Sequence, residues 1–234
     1  QYLSSVLMIA PLLKEGLEVE IIGELVSKPY IDTTIKVMQD FGVEIFNENY
    51  RKFIVPGKQT YKKRKFLVQG DASSASYFTG ACAICGGKLN VLNVGYNCDQ
   101  GDIEFAFLLE KMGATVTVKK NSTFIKSDGK LNGIKCDLNR TPDVVQTLVI
   151  CALFAEGETL IENVGNLRIK ETDRLHALET ELKKIGANVT TGKDWIKIVP
   201  VKAYKPAVIE TYNDHRMAMS FALAGLKIPG IRIN

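Results

Sequence analysis

Two short segments carry charge that local folding does not require. The first, Asn166-Leu167-Arg168-Ile169-Lys170-Glu171-Thr172-Asp173-Arg174, holds five charges within seven residues, where a strand should give way to a helix. Thr172 or Asp173 suits the helix cap, its side-chain oxygen accepting from an otherwise unpaired backbone N–H. Lys170 and Arg174 do not help that helix, because cations at its N-terminus oppose the helix dipole. Converging with free backbone N–H groups, however, they make a strong site for carboxylate or phosphate. A solvated charged loop is the competing reading. The second segment, Tyr212-Asn213-Asp214-His215-Arg216-Met217-Ala218-Met219, also enters an apolar helical run, with Arg216 in its first turn. His215 reads either as a satisfied structural histidine or as a group that positions a proton-transfer residue beside Arg216.

The elements that must carry these segments repeat. Three helix ends look alike, with Gly42, Gly113 and Gly186 at spacings of 71 and 73. Each glycine suits the position just past a helix, where the backbone turns left-handed. Asp71, Asp143 and Asp214 each precede an apolar helical run, at spacings of 72 and 71, and the loop residues Ser27, Asn97 and Asn166 recur at 70 and 69. Self-similarity of this kind means one supersecondary unit copied several times, and a solenoid would have a shorter period of roughly 20–50 residues. Read from one aspartate, the unit is helix, strand, loop, helix, glycine, strand, turn, strand, an α/β alternation with mixed sheets. In the third copy the pattern predicts helices over 143–155 and 172–185, and strands over 159–164, 188–191 and 195–199. The stretch 66–72 is the expected domain junction, with domains of 1–69 and 70–234. Segment 58–65, with four lysines and Arg64, reads as a solvated hairpin edge. The chain opens on the first helix of one unit and closes in the first strand of another, so a piece cut at both ends is expected.

Composition narrows the classes. The 234 residues are 46% hydrophobic and 24% charged, ordinary for one large or two modest globular domains. No apolar run approaches the roughly 18 residues of a membrane span, so no membrane partner is expected. The net charge of +4 suits small anions and is too weak and dispersed to argue for nucleic acid. Five cysteines, an odd number, do not form a secreted disulfide framework. Cys82 and Cys85 lie in an Ala-rich apolar run and read as buried small hydrophobes. With two histidines and no second close cysteine pair, no zinc site is signalled. A reducing, cytoplasmic compartment is the expectation.

The chain resembles the 5-enolpyruvylshikimate-3-phosphate (EPSP) synthase family over essentially its whole length. The resemblance rests on Leu25-Val26-Ser27-Lys28-Pro29-Tyr30, Gly70-Asp71-Ala72-Ser73-Ser74-Ala75-Ser76-Tyr77, Gln100-Gly101-Asp102, Lys170-Glu171-Thr172-Asp173-Arg174 and Tyr212-Asn213-Asp214-His215-Arg216-Met217, in family order. It implies a two-domain enolpyruvyl transferase fold, an inside-out α/β barrel of repeated βαβαββ units, here incomplete. Residues 1–69 would be the last unit of one domain and 70–234 most of the other, with substrates bound between them. The reaction implied is transfer of the carboxyvinyl group of phosphoenolpyruvate to the 5-hydroxyl of shikimate 3-phosphate, with phosphate released and no metal or organic cofactor. Gln1, Ser27, Tyr30, Asp143, Asn166 and Lys170 would contact shikimate 3-phosphate. Gln1, Arg174 and Arg216 would hold phosphoenolpyruvate. Asp143 would take the hydroxyl proton, Glu171 would exchange a proton with the methylene carbon, and His215 would orient Glu171.

The resemblance also implies contacts from flanking segments outside this chain, namely a Lys-Ser pair, a Gly-rich loop, an arginine, serines before Gln1 and a late lysine. The isolated chain is therefore expected to turn over no substrate. The nearest rival is an enolpyruvyl transferase acting on UDP-N-acetylglucosamine, which uses a loop cysteine. Cys98 is the only loop candidate and lacks a cationic neighbour. A non-catalytic remnant of the fold is a third reading, and the intact charged residues argue against it.

Overall fold

The computed structural model describes all 234 residues. Contacts divide the chain into two compact units, Gln1–Val68 and Gln69–Asn234. The division falls within the stretch 66–72, one residue before the expected boundary. No helix is long and apolar enough to cross a membrane.

The first unit runs α1 (Tyr2–Ile9), β1 (Leu17–Glu20), α2 (Lys28–Asp40), β2 (Phe46–Glu48) and β3 (Lys52–Val55). Its antiparallel sheet has the order β1-β3-β2. Leu7, Ile31, Ile35, Met38 and Phe53 form the centre of its core.

The second unit opens with α3 (Ala72–Cys85), β4 (Gly87–Leu92), α4 (Glu104–Lys111), β5 (Thr115–Lys119) and β6 (Ser122–Ser127). It continues through β7 (Leu131–Asn132), β8 (Lys135–Asp137), α5 (Val145–Leu153), β9 (Ala155–Glu156), β10 (Thr159–Glu162) and α6 (Arg174–Lys184). It closes with β11 (Asn188–Thr191), β12 (Ile196–Val199), β13 (Val208–Ile209), α7 (His215–Ala224) and β14 (Arg232–Ile233). The sheets β4-β6-β5 and β11-β12-β10-β8 repeat the arrangement of the first unit, with the last hairpin strand in the middle. Because β8 and β10 pair in parallel, they need the crossover helix α5 between them. The order β8-α5-β10-α6-β11-β12 is one full βαβαββ copy. The parallel pair β13–β14 around α7 begins the next.

The repeated glycines sit where expected. Gly42, Gly113 and Gly186 follow α2, α4 and α6 at φ of 82°, 110° and 82°, a region that disfavours side chains with a Cβ. All nine residues of α5 are buried, as befits a helix that is apolar nearly all round. It packs between α3 and α7 at the centre of the large core. Each fully buried Leu or Val there stabilises the fold by about 1.5–3 kcal/mol.

Several boundaries differ from the sequence pattern, for local reasons. Residues 142–144 form a 3₁₀ turn, and α5 begins only at Val145. The strand expected over 159–164 stops at Glu162, because Asn163 is left-handed at φ 59°. The helix expected from Thr172 starts at Arg174, with Asp173 capping it through a 3.0 Å bond from the His176 N–H. The final strand starts at Ile196 rather than Trp195. Segment 58–65 is not a hairpin edge but irregular chain laid along the end of α2. There the Lys62 N–H donates to the Phe41 carbonyl at 2.7 Å, and Arg64 reaches the Asp40 carbonyl and carboxylate. Cations at a helix C-terminus complement its dipole, which explains the cluster better than an edge strand does. Cys85 is exposed at the end of α3 and Cys82 only half-buried, so the two are not a buried pair.

Candidate active site

Helices α3, α5 and α7 run parallel, so their N-termini meet. The Ser76 and Thr147 hydroxyls lie 3.0 Å apart one turn into α3 and α5. A Cβ on Gly80, one turn further along α3, would meet Thr147, Cys151 and Leu223. The repeated aspartates therefore stand at the same end of their helices, but they do different things. Asp71 and Asp214 cap their helices, accepting from the Ser73 N–H at 3.0 Å and the Arg216 N–H at 2.8 Å. Asp143 caps nothing and faces cations instead.

Arg174, the first residue of α6, is the hub. Its side chain is 1% exposed, and its guanidinium donates to three carboxylates. Nε reaches Asp214 Oδ2 at 2.7 Å and Nη2 reaches Asp214 Oδ1 at 3.3 Å. Nη1 reaches Asp143 Oδ1 at 3.0 Å and Nη2 reaches Glu171 Oε2 at 2.7 Å. A buried guanidinium is tolerable only when paired in this way, and a planar fork meeting a wholly buried carboxylate on two donors is the strongest form of such pairing. Arg174 therefore fixes the starts of α5, α6 and α7 relative to one another.

Asp143 also receives Arg216 Nη2 at 3.0 Å on Oδ2, with Lys170 Nζ 3.5 Å from Oδ1. Burial opposes ionisation of this carboxyl, but Arg216, Lys170 and Arg174 together outweigh it and hold its pKa below the usual carboxylate range. Burial likewise works against the charge on Arg216, and Asp143 overcomes it, raising the guanidinium pKa. The Tyr77 phenol, buried on α3 beside Arg216, has its pKa raised by burial. Its hydroxyl faces the Arg216 guanidinium, whose charge offsets part of that effect. The result is a cluster of three cations and three carboxylates, half-sheltered from water. Its cations can exchange an internal carboxylate for an anionic ligand.

The structure brings together Asp143, Lys170, Glu171, Arg174 and Arg216. Asn166 lies in the 3₁₀ segment Gly165–Ile169 just before Lys170. Gln1, Ser27 and Tyr30 belong to the first unit. Gln1 is exposed ahead of α1, Ser27 precedes α2 at φ 58°, and Tyr30 is half-buried in the first turn of α2. His215 is exposed, and no hydrogen bond or ion pair joins it to Glu171; Arg174 holds that carboxylate instead. Cys98 is half-buried. Burial chiefly, with Asp99, Asp102 and Asp71 nearby, pushes its thiol pKa up, the reverse of an activated nucleophile.

Two contributors escaped the sequence reading. Asp214 was legible as a cap, but its grip on Arg174 spans 40 positions, beyond any local pattern. Arg168 locks the 165–173 loop, bonding to Asp173 at 2.8 Å and to the carbonyls of Gly192 and Lys193 in the β11–β12 turn. Its place in the charged run was the available signal.

Comparison with known proteins decides the family. A family model described as EPSP synthase (3-phosphoshikimate 1-carboxyvinyltransferase) matches residues 1–234. The chain belongs to the EPSP synthase family. It is 50% identical over 236 residues to a 3-phosphoshikimate 1-carboxyvinyltransferase of Marinomonas sp., matching all of this chain and 55% of that protein. Against the Pasteurella multocida protein of the same name identity is 54% over 237 residues, all of this chain and 53% of the relative. EPSP synthase from Acinetobacter baumannii superposes with a TM-score of 0.78 at 28% identity, over 97% of this chain and 54% of that one. The chain thus spans about half the length of the family members it matches, and the repeated α/β architecture is theirs.

Proposed function

We propose that this chain supplies the cationic and acid–base part of an EPSP synthase, which moves the carboxyvinyl group of phosphoenolpyruvate onto the 5-hydroxyl of shikimate 3-phosphate. The observation that carries the reading is the convergence of Lys170, Arg174 and Arg216 on Asp143, with Glu171 held alongside. Phosphoenolpyruvate bears a carboxylate and a phosphate, and planar guanidinium donors match both. Lys170, a mobile point charge, suits a second anionic partner.

In this reading the hydroxyl oxygen attacks C2 of phosphoenolpyruvate while C3 gains a proton. Phosphate then leaves C2 as C3 loses a proton. Two carboxylates with separate duties serve this sequence, Asp143 for the hydroxyl proton and Glu171 for the proton at C3. While paired to its cations Asp143 is a weak base. An anion that draws Arg216 and Arg174 toward itself removes that depression, so donor binding raises the basicity of Asp143 when it is needed. Arg174, rather than His215, orients Glu171. Gln1, Ser27, Tyr30 and Asn166 are assigned to shikimate 3-phosphate by family resemblance, and the five free thiols suit a cytoplasmic enzyme.

The test is a chimera in which this chain replaces the matching half of the Pasteurella multocida relative. It is expected to release phosphate from phosphoenolpyruvate only when shikimate 3-phosphate is present, and the isolated 234-residue chain is expected to release none. A folded chimera without that activity, or ordinary turnover by the isolated chain, contradicts the proposal.

A further inference from the structure

Helix α6 carries a second buried charge on the face that carries Arg174. Glu181 lies seven residues, two turns, beyond Arg174 and is wholly buried. Its carboxylate accepts from the Tyr212 hydroxyl at 2.8 Å, from the Glu210 backbone N–H at 3.1 Å and from Lys184 Nζ at 2.7 Å. Glu210 and Tyr212 belong to the short lead-in to α7, whose last residue, Asp214, is the one Arg174 grips. That lead-in is held against its backbone preference. Tyr212 and Asn213 are both left-handed at φ 56°, and for an aromatic residue this conformation persists only where the surroundings impose it. Asp214 then closes the turn through its N–H to the Thr211 carbonyl at 2.9 Å. Helix α6 thus pins both ends of the lead-in, at Glu210–Tyr212 through Glu181 and at Asp214 through Arg174.

We propose that Glu181 is a positioning residue for the anion site: by imposing the left-handed turn ahead of α7 it sets Asp214, Arg174 and Arg216 against Asp143. No catalytic contact is needed for this role. Losing the tie lets the Tyr212–Asn213 turn relax, shifts the start of α7 and loosens the Arg216–Asp143 pair. The proposal builds on the carboxyvinyl-transfer reading, because the site it tunes is the one assigned there to phosphoenolpyruvate.

The sign of the Asp143 titration separates this role from a simple charge effect. Asp143 faces Arg216 from α7, Arg174 from α6, Lys170 from the preceding loop and Tyr77 from α3. Removing a negative charge at Glu181 through Glu181→Gln would, through space, make Asp143 more acidic. Displacing its cations makes it less acidic. Following the Asp143 side-chain carboxyl by ¹³C NMR during a pH titration reads the difference. Glu181→Gln is expected to raise the Asp143 midpoint by about one pH unit, the scale of one lost cationic neighbour. Tyr212→Phe, which removes one bond without changing charge, should move it the same way by less. Glu179→Gln, on the same helix but bonded to Lys183 and Thr191, should leave it in place. A lowered or unchanged midpoint in folded Glu181→Gln overturns the proposal. If that variant does not fold, an unchanged midpoint in Tyr212→Phe overturns it. Phosphoenolpyruvate titrated into the same samples keeps the two readings apart. Absence of binding by the unsubstituted chain would sink the functional reading and leave the Asp143 comparison intact.

Discussion

A carboxylate wedged among cations titrates low, and Asp143 has Arg216, Lys170 and Arg174 within ion-pair reach. Its folded pKa lies below the unfolded value, so its contribution to stability is complete above about pH 4 and fades as pH falls through the folded value. Asp143→Asn is therefore expected to unfold more easily than the parent at pH 7, with the gap between them closing as pH drops below about 4. Urea midpoints taken across pH 2–7 check this; a gap independent of pH would show that the carboxylate is not held low. Arg174 and Arg216 were legible in the sequence because each sits in the first turn of a helix, where the dipole disfavours it, whereas Lys170 lies in the loop before α6. That no hydrogen bond joins His215 to Glu171 has an equally local cause. Adjacent helical residues do not face each other, so a sequence neighbour of inward-turned Arg216 points elsewhere. Glu171 is held by Arg174, three residues along the same strand-to-helix junction, a residue for which the family resemblance implies a substrate contact alone.

Elements were readable to the extent that one residue type forces the backbone. Gly186 shows this cleanly. It follows α6 at φ 82°, and a Cβ built there meets nothing within 4 Å, so any penalty for a side chain is conformational. Gly186→Ala is expected to cost about 1–2 kcal/mol, measured from urea denaturation midpoints, and Gly186→Asn less, since asparagine tolerates the left-handed region. Equal stability for all three would mean the turn is not held in this conformation. Segment 58–65 was misread for the opposite reason. A run of lysines fits an exposed strand edge and a helix C-terminus alike, and only the contacts of Lys62 and Arg64 with Phe41 and Asp40 choose between them. The 3₁₀ turn at 142–144 hid in the sequence as well, since an aspartate before an apolar helix reads as a cap. Here its partners lie on two other helices.

At the scale of the whole chain, copying one unit made the site possible. Repetition places equivalent helices side by side in one core, and their shared polarity brings their starts together. Divergence at the starts then assigned the work: Asp71 and Asp214 stayed caps, while Asp143 turned to the arginines. The period, the α/β class and the family were open to reading because they are written in many positions at once. The three-carboxylate grip on Arg174 was not, because it joins residues up to 40 positions apart with no periodic signature. In the proposed function Lys170, Arg174 and Arg216 form one anion site for phosphoenolpyruvate. The most direct test is calorimetric titration of phosphoenolpyruvate into the chain, into Arg216→Ala and into Lys183→Ala, an exposed cation on α6 paired with Glu179. The account predicts saturable binding, weakened about tenfold or more by Arg216→Ala, as expected for a lost charged hydrogen bond, and unchanged by Lys183→Ala. No binding by the chain, or equal affinity in Arg216→Ala, would contradict it.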